Sequence, residues 1–206
     1  MKNNIDCIIL AAGLSSRMLA FKPLLLYNNI TFLENIINKV ITYVDKIIVV
    51  TGFNSINIEQ IIKSKYDGKQ VYTVYNKNYN SSMYYSLLKG IEQITNNNFA
   101  LYHFIDQPTI PADFYPAFLS QIDKNDYIIQ PTFNNKKGHP LLFSFNFCKH
   151  LLISDVNSNL KIEMQKFENL KKYWNCEFKE ILKDYDTLED YKVIEENNNG
   201  YNKKNK

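Results

Sequence analysis

The sequence predicts an α/β fold built on a single doubly wound, mostly parallel sheet, and three observations predict it. Short apolar runs alternate with segments of helical spacing along nearly the whole chain, an order that buries a parallel sheet between helices. The first run, residues 5–10, is almost wholly apolar, as a strand covered on both faces must be. Small or turn-forming residues close several of these runs, as in Ala11-Ala12-Gly13, Thr51-Gly52 and Asp106-Gln107-Pro108.

Taken in order, residues 5–10 form the first strand. After the small-residue loop, residues 24–27 are apolar. Phe32, Ile36, Ile37, Val40, Ile41 and Val44 give a helix over 32–44. Residues 46–50 are a second strand, 55–65 a helix and 71–75 a third strand. Met83, Leu87, Leu88 and Ile91 mark a helix within 82–94. Residues 99–105 are a fourth strand, 112–122 a helix, 127–131 a fifth strand. A Lys-Lys-Gly-His-Pro turn then leads into a strand at 140–143. Shorter helices and one more strand, 177–182, complete a single domain over 1–196. Residues 197–206 are a polar tail, expected to be disordered.

Composition narrows the function. The 206 residues suit one domain, and a hydrophobic share of 45% supplies a core. Formal net charge is +3, and Lys203, Lys204 and Lys206 account for all of it. The body carries no broad basic field, which argues against nucleic acid as a partner. Cys7, Cys148 and Cys176 are too scattered for a metal set, and an odd number does not make a disulfide framework. No apolar run reaches the roughly 20 residues of a membrane helix. A strand so close to Met1 leaves no room for a signal peptide, so the expected location is cytoplasmic with no membrane partner.

In open α/β sheets, ligands bind beyond the carboxyl ends of the strands. The first such end reads Leu10-Ala11-Ala12-Gly13-Leu14-Ser15-Ser16-Arg17, with Lys22 close behind. Small residues let backbone N–H groups approach a polyphosphate, the serines add hydroxyls, and Arg17 and Lys22 add cationic donors. The loop is neither a Walker A loop nor a Gly-x-Gly-x-x-Gly loop. It also reads as an ordinary strand-to-helix turn with solvated basic residues. Asp106, at the end of the fourth strand, is an oxygen ligand suited to Mg²⁺ or, equally, a cap for the following turn. Of the histidines, His103 reads as a core residue and His150 as a surface residue at a helix end. His139 reads as a strand end or a substrate contact. Tyr84 and Tyr85 face the core or the nucleotide, with packing favoured, Trp174 reads as packing, and Lys136-Lys137 as a solvated turn or an attractor for a phosphorylated acceptor.

Five segments, in this order, resemble the MobA-like nucleotidyltransferase family over nearly the whole chain. They are Leu10-Ala11-Ala12-Gly13-x-Ser15-x-Arg17-Met18 with Lys22; Asn76 with Met83-Tyr84-Tyr85-Ser86-Leu87 and Gly90; Asp106-Gln107-Pro108; Gly138-His139-Pro140; and Asp184-Tyr185-Asp186-Thr187 with Glu189-Asp190-Tyr191. The branch most similar is the molybdenum cofactor cytidylyltransferases. The resemblance implies a Rossmann-like fold and a nucleotide site at Leu10, Ala11, Ala12, Gly13, Ser15, Arg17, Lys22, Asn76 and Ser86. Arg17, Lys22 and Asp106 would be catalytic, Asp106 and Asp186 would hold Mg²⁺, and Gly138 and His139 would meet the acceptor. The Ala-Ala form of the first loop resembles the CTP-using branch. The chain departs from the family pattern at Leu19 and Ser82, where glycine is usual, and at 153–159, which lack the family's Arg.

The resulting expectation is an enzyme that moves CMP from CTP, or a nucleotide from another NTP, onto a phosphorylated acceptor such as molybdenum cofactor. A sugar or alcohol phosphate as acceptor is one alternative, and a non-catalytic nucleotide-binding accessory protein is another.

Overall fold

Strand β1 (Ile5–Ala11) is buried along its whole length and sits at the centre of the main sheet. The computed structural model describes residues 4–15, 18 and 20–194. The expected tail, and the departure at Leu19, lie outside the described residues.

After β1 come a 3-10 turn (Lys22–Leu24) and a small hairpin, β2 (Leu26–Tyr27) and β3 (Ile30–Thr31). The apolar stretch at 24–27 is thus a turn and half of a hairpin. Asn28 and Asn29 close it with φ values of 53° and 64°, a left-handed pair that a two-residue turn requires. Helix α1 (Phe32–Val40) follows directly. Thr31 Oγ1 accepts from Glu34 N–H, and the Glu34 carboxylate accepts from Thr31 N–H, a reciprocal cap worth about 1 kcal/mol.

The chain continues through β4 (Lys46–Thr51), α2 (Ser55–Tyr66), β5 (Val71–Tyr75), α3 (Met83–Ile91), β6 (Phe99–Phe104) and α4 (Phe114–Leu119). Then come β7 (Ile128–Phe133), β8 (Lys136–Lys137), β9 (Leu141–Phe143), α5 (Phe145–Ile153), α6 (Leu160–Gln165) and β10 (Lys171–Asn175). Ser82 caps α3: its hydroxyl accepts from Tyr85 N–H, and its φ of −163° is ordinary extended backbone. The departure at Ser82 therefore carries no backbone strain.

The main sheet runs β10-β7-β9-β6-β1-β4-β5, with β8 paired to β7. Strands β6, β1, β4 and β5 are mutually parallel, as are β7 and β10, while β9 runs against both of its neighbours. Successive residues of β1 serve opposite faces. Cys7 and Ile9 meet α1, α2 and α4 on one side, and Ile8 and Leu10 meet α3 and α5 on the other. His103 in β6 is a core residue, held between the Phe104 carbonyl (2.7 Å) and the Tyr115 hydroxyl (2.8 Å). Burial lowers its pKa to about 3, so it is neutral. All three cysteines are free and buried.

Two expectations are corrected. The last strand is β10, not 177–182, where a 3-10 turn (Lys179–Leu182) stands. Phe178, Ile181 and Leu182 are spaced three and four apart, so they share one face of a turn, and Ile181 is wholly buried. β10 escapes notice because it opens on two charged residues, Lys171 and Lys172, as edge strands often do. His150 is half-buried and bonded to Glu163 at 2.7 Å, so it is not a free surface residue. No helix among the described residues is long and apolar enough to cross a membrane.

Candidate active site

The order of connections reverses between β1 and β6: β4 and β5 lie on one side of β1, and the chain crosses to the other for β6. Loops diverge at such a point and leave a crevice. A cavity of about 290 Å³ fills it, lined by Leu10, Ala11, Ala12, Gly13, Ser15, Lys22, Tyr79, Ser86, Asp106 and Asp186 among others.

One wall is backbone. The Ala12 carbonyl accepts from Phe53 N–H (3.1 Å), tying the exit of β1 to the end of β4. Gly52 makes this approach possible: a Cβ there would stand 2.4 Å from Tyr79 Cβ and 2.8 Å from the Ala12 carbonyl oxygen. Ser15 Oγ accepts from Lys22 N–H (3.2 Å) and so fixes where the lysine leaves the backbone. The hydroxyl proton remains available to a ligand. Behind the wall, Asn76 is buried; its Nδ2 donates to Ser86 Oγ (2.9 Å), and its Oδ1 accepts from Asn78 N–H (3.0 Å). Ser86 lines the cavity and Asn76 supports it from behind.

The opposite wall is charged. Lys22 Nζ donates to Asp186 Oδ1 at 2.5 Å and lies 3.6 Å from Asp106 Oδ2, with its side chain 10% exposed. Asp106 has its pKa pushed up to about 6, chiefly by burial; Lys22 lowers it, and Asp184 and Asp186 raise it. Its Oδ1 is buried with no hydrogen-bond partner among the described residues. The carboxyl-terminal segment is strapped to this corner. Tyr185 N–H donates to the Asp106 carbonyl (3.0 Å), and Gln107 Nε2 donates to the Ile181 carbonyl (3.2 Å) and to Asp184 Oδ1 (2.8 Å). Asp190 Oδ2 accepts from the backbones of Asp186 and Thr187, which shapes the turn that delivers Asp186.

Lys39, which lines no cavity of the site, supports it in a way the sequence conceals. Its Nζ donates to the carbonyls of Pro108 (2.6 Å) and Ile110 (2.9 Å), bracing the turn that begins at Asp106, and burial lowers its pKa to about 8. A lysine in the last turn of a helix ordinarily reads as solvated.

The corner fits a hard divalent cation. Its donors are carboxylate oxygens, and a covered, unpartnered Oδ1 on Asp106 is what such an ion would satisfy. Among the described residues no three His, Cys, Asp or Glu side chains form a closed metal cage. Mg²⁺ commonly takes one or two carboxylates and completes its shell with substrate phosphates and water.

A second cavity of about 880 Å³ adjoins the first, sharing Met83 and Phe104 with it, and His139, Gln130 and Lys137 line it. Gly138 does not line it: a Cβ there would lie 2.6 Å from Ile181 Cγ1, so this glycine is a packing position. Tyr84 is buried, with its hydroxyl 2.5 Å from Ser154 Oγ. Of the residues expected at the site, Leu10, Ala11, Ala12, Gly13, Ser15, Lys22, Ser86, Asp106 and Asp186 share the first cavity and His139 lines the second. Arg17 lies outside the described residues.

Comparison with known proteins shows the family. Residues 7–161 match the model of the MobA-like NTP transferase domain. The chain is 28% identical over 194 residues to the molybdenum cofactor cytidylyltransferase of Escherichia coli K12, covering 93% of this chain and 96% of that protein. Among solved structures, Rv0371c of Mycobacterium tuberculosis superposes with a TM-score of 0.77 at 20% identity, over 93% of this chain and 98% of that one. Its manganese complex gives 0.73 at 19%, over 93% and 98%. The inositol-1-phosphate CTP transferase of T. maritima gives 0.69 at 13%, over 92% and 93%. The chain is a nucleotidyltransferase, an enzyme that belongs to the MobA-like NTP transferase family.

Proposed function

We propose that the enzyme transfers CMP from CTP to a phosphorylated acceptor, molybdenum cofactor first among candidates, with release of pyrophosphate. The observation that carries this is the Lys22–Asp106–Asp186 cluster facing the small-residue loop across one cavity. The Ala-Ala loop and the cytidylyltransferase relative support CTP and the cofactor.

A phosphate-monoester oxygen of the acceptor attacks the α-phosphorus of the nucleotide. A new P–O–P bond forms, the bond to the β-phosphate breaks, and pyrophosphate carries away the electron pair. The attacking monoester has a second pKa of about 6 and is mostly dianionic at pH 7, so no side chain need deprotonate it. The obstacle is repulsion between anions, about 4 kcal/mol for unit charges 4 Å apart at an effective dielectric near 20. Lys22 supplies positive charge on the triphosphate side, and the backbone N–H groups of 11–13 supply dipoles. Asp106 and Asp186 would hold Mg²⁺, which supplies charge neutralisation on the phosphates. The second cavity takes the acceptor, and its junction with the first at Phe104 and Met83 brings the two phosphates together.

Thermal-shift measurements with the four NTPs and Mg²⁺ test the donor. CTP at about 100 times its Kd adds roughly 2.7 kcal/mol. Pyrophosphate release with molybdopterin, inositol 1-phosphate and methylerythritol phosphate then tests the acceptor. Asp106→Asn is expected to remain folded and lose most turnover; normal turnover would remove Asp106 from the metal site.

A further inference from the structure

Gln107 lines neither cavity, yet it touches the segment that holds both. It follows Asp106 directly and is 1% exposed. Its Nε2 donates in two directions, to the Ile181 carbonyl (3.2 Å) and to Asp184 Oδ1 (2.8 Å). Both acceptors belong to the carboxyl-terminal strap, and each end of that strap serves a different chamber.

The Ile181 end carries the hairpin of the larger chamber. The Ile181 carbonyl also accepts from His139 N–H (3.1 Å). Gly138 sits so close that a Cβ on it would stand 2.6 Å from Ile181 Cγ1. The Asp184 end runs into the smaller chamber. Tyr185 N–H donates to the Asp106 carbonyl (3.0 Å), and Asp186 meets Lys22. One planar amide therefore clamps the strap at both ends, and its two N–H donors are fixed at a set angle to each other.

Stability alone does not account for an amide here. Gln107 Oε1 is buried without a partner among the described residues. An unmatched buried oxygen costs free energy that an apolar side chain of similar length avoids. The two donors account for it.

We propose that Gln107 is a positioning residue that sets the spacing between the two chambers, so that nucleotide bound in the smaller one stiffens the hairpin of the larger one. A transfer between two bound substrates depends steeply on such spacing. The proposal rests on the transferase reading of the smaller cavity.

Hydrogen–deuterium exchange on the full chain, with and without CTP and Mg²⁺, tests it. In wild type the ligands should slow exchange about threefold or more in residues 181–188 and also in residues 134–140. Gln107→Met removes both donors together with the unmatched oxygen. The Ile181 carbonyl keeps its bond from His139, and Asp184 is exposed to water. The variant should therefore keep its Tm and its CTP thermal shift. Protection should persist in 181–188 and fall to about half or less in 134–140. Gln107→Asn, whose amide is too short to span both acceptors, should behave alike and serves if the methionine variant does not fold. Equal protection of 134–140 in wild type and variant overturns the proposal. So does its absence in wild type while CTP binds, or a CTP thermal shift that shrinks in step with Tm. If CTP fails to bind wild type, the transferase reading falls and this proposal falls with it.

Discussion

Lys22 Nζ lies 2.5 Å from Asp186 Oδ1, joining positions 164 residues apart in the chain. The same ammonium group stands 3.6 Å from Asp106 Oδ2, so Lys22 lies within ion-pair range of both carboxylates. Lys22→Met should lower kcat/KM by about 10² to 10³, the usual effect of removing one electrostatic group aimed at developing charge. It also removes a positive charge from beside Asp106 and Asp186, so the apo Tm should fall, and Mg²⁺ should raise Tm more in the variant than in wild type. Calorimetric melts with and without Mg²⁺ check this; an unchanged metal response would mean that Lys22 and the metal do not share these oxygens.

Lys39 touches no part of either cavity, yet two of its donors hold the turn after Asp106. Lys39→Met strands the Pro108 and Ile110 carbonyls, at about 1 kcal/mol each. It should cost turnover about tenfold or more, as outer-shell orienting groups do. Lys39→Arg should restore much of this. Steady-state kinetics on both variants provide the check, with the loss expected in kcat more than in KM for CTP.

Gly52→Ala forces a methyl group against Tyr79 and the Ala12 carbonyl. Overpacking of this kind costs about 1–3 kcal/mol. Because Ala12 lines the cavity proposed to take the nucleotide, the CTP thermal shift should shrink along with Tm. A variant as stable as wild type would show that Tyr79 is free to move away.

Glu163 is a pH-sensitive brace remote from the first cavity. Its side chain is 1% exposed and accepts hydrogen bonds from Lys166, Ser158 and His150. Burial alone would raise its pKa, but these partners outweigh burial and bring it from 4.5 to about 2. A carboxyl group with a folded value below its unfolded value adds stability above the unfolded pKa and loses it as pH falls toward the folded one. Tm should therefore drop between about pH 4.5 and 2. Glu163→Gln should show a lower Tm at pH 7 and a flatter decline in that window, as followed by circular dichroism.

Much of this was legible in the residues. β5 falls at its expected bounds, because Val71–Tyr75 is a β-prone run with clear turns on either side. The small-residue loop and Asp106 were visible because both sit where apolar strands run out, the place an α/β sheet puts its ligands. What stayed hidden depends on contacts distant in sequence. Nothing near Lys39 shows that it caps a turn about 70 residues later. Nothing near Asn76 shows that it supports Ser86. The strand β10, which opens on two lysines, reads as surface, whereas 177–182, with Phe178, Ile181 and Leu182 among charged residues, reads as strand and is a turn pressed onto Gly138. Hydrophobic pattern reports burial well, and it reports geometry only where the burial has a period.

The reversed direction of β9 has a consequence for how such enzymes diversify. The parallel strands near the crevice deliver their following loops to the carboxyl edge, but β9 receives its preceding hairpin there. That hairpin, residues 134–140, overhangs only the larger chamber, while the β1 loop and the Asp106 corner govern the smaller one. Insertions or deletions in it redraw one chamber and spare the other, so under the proposed division of labour a lineage built on this plan exchanges one acceptor for another without rebuilding the half proposed to take the nucleotide.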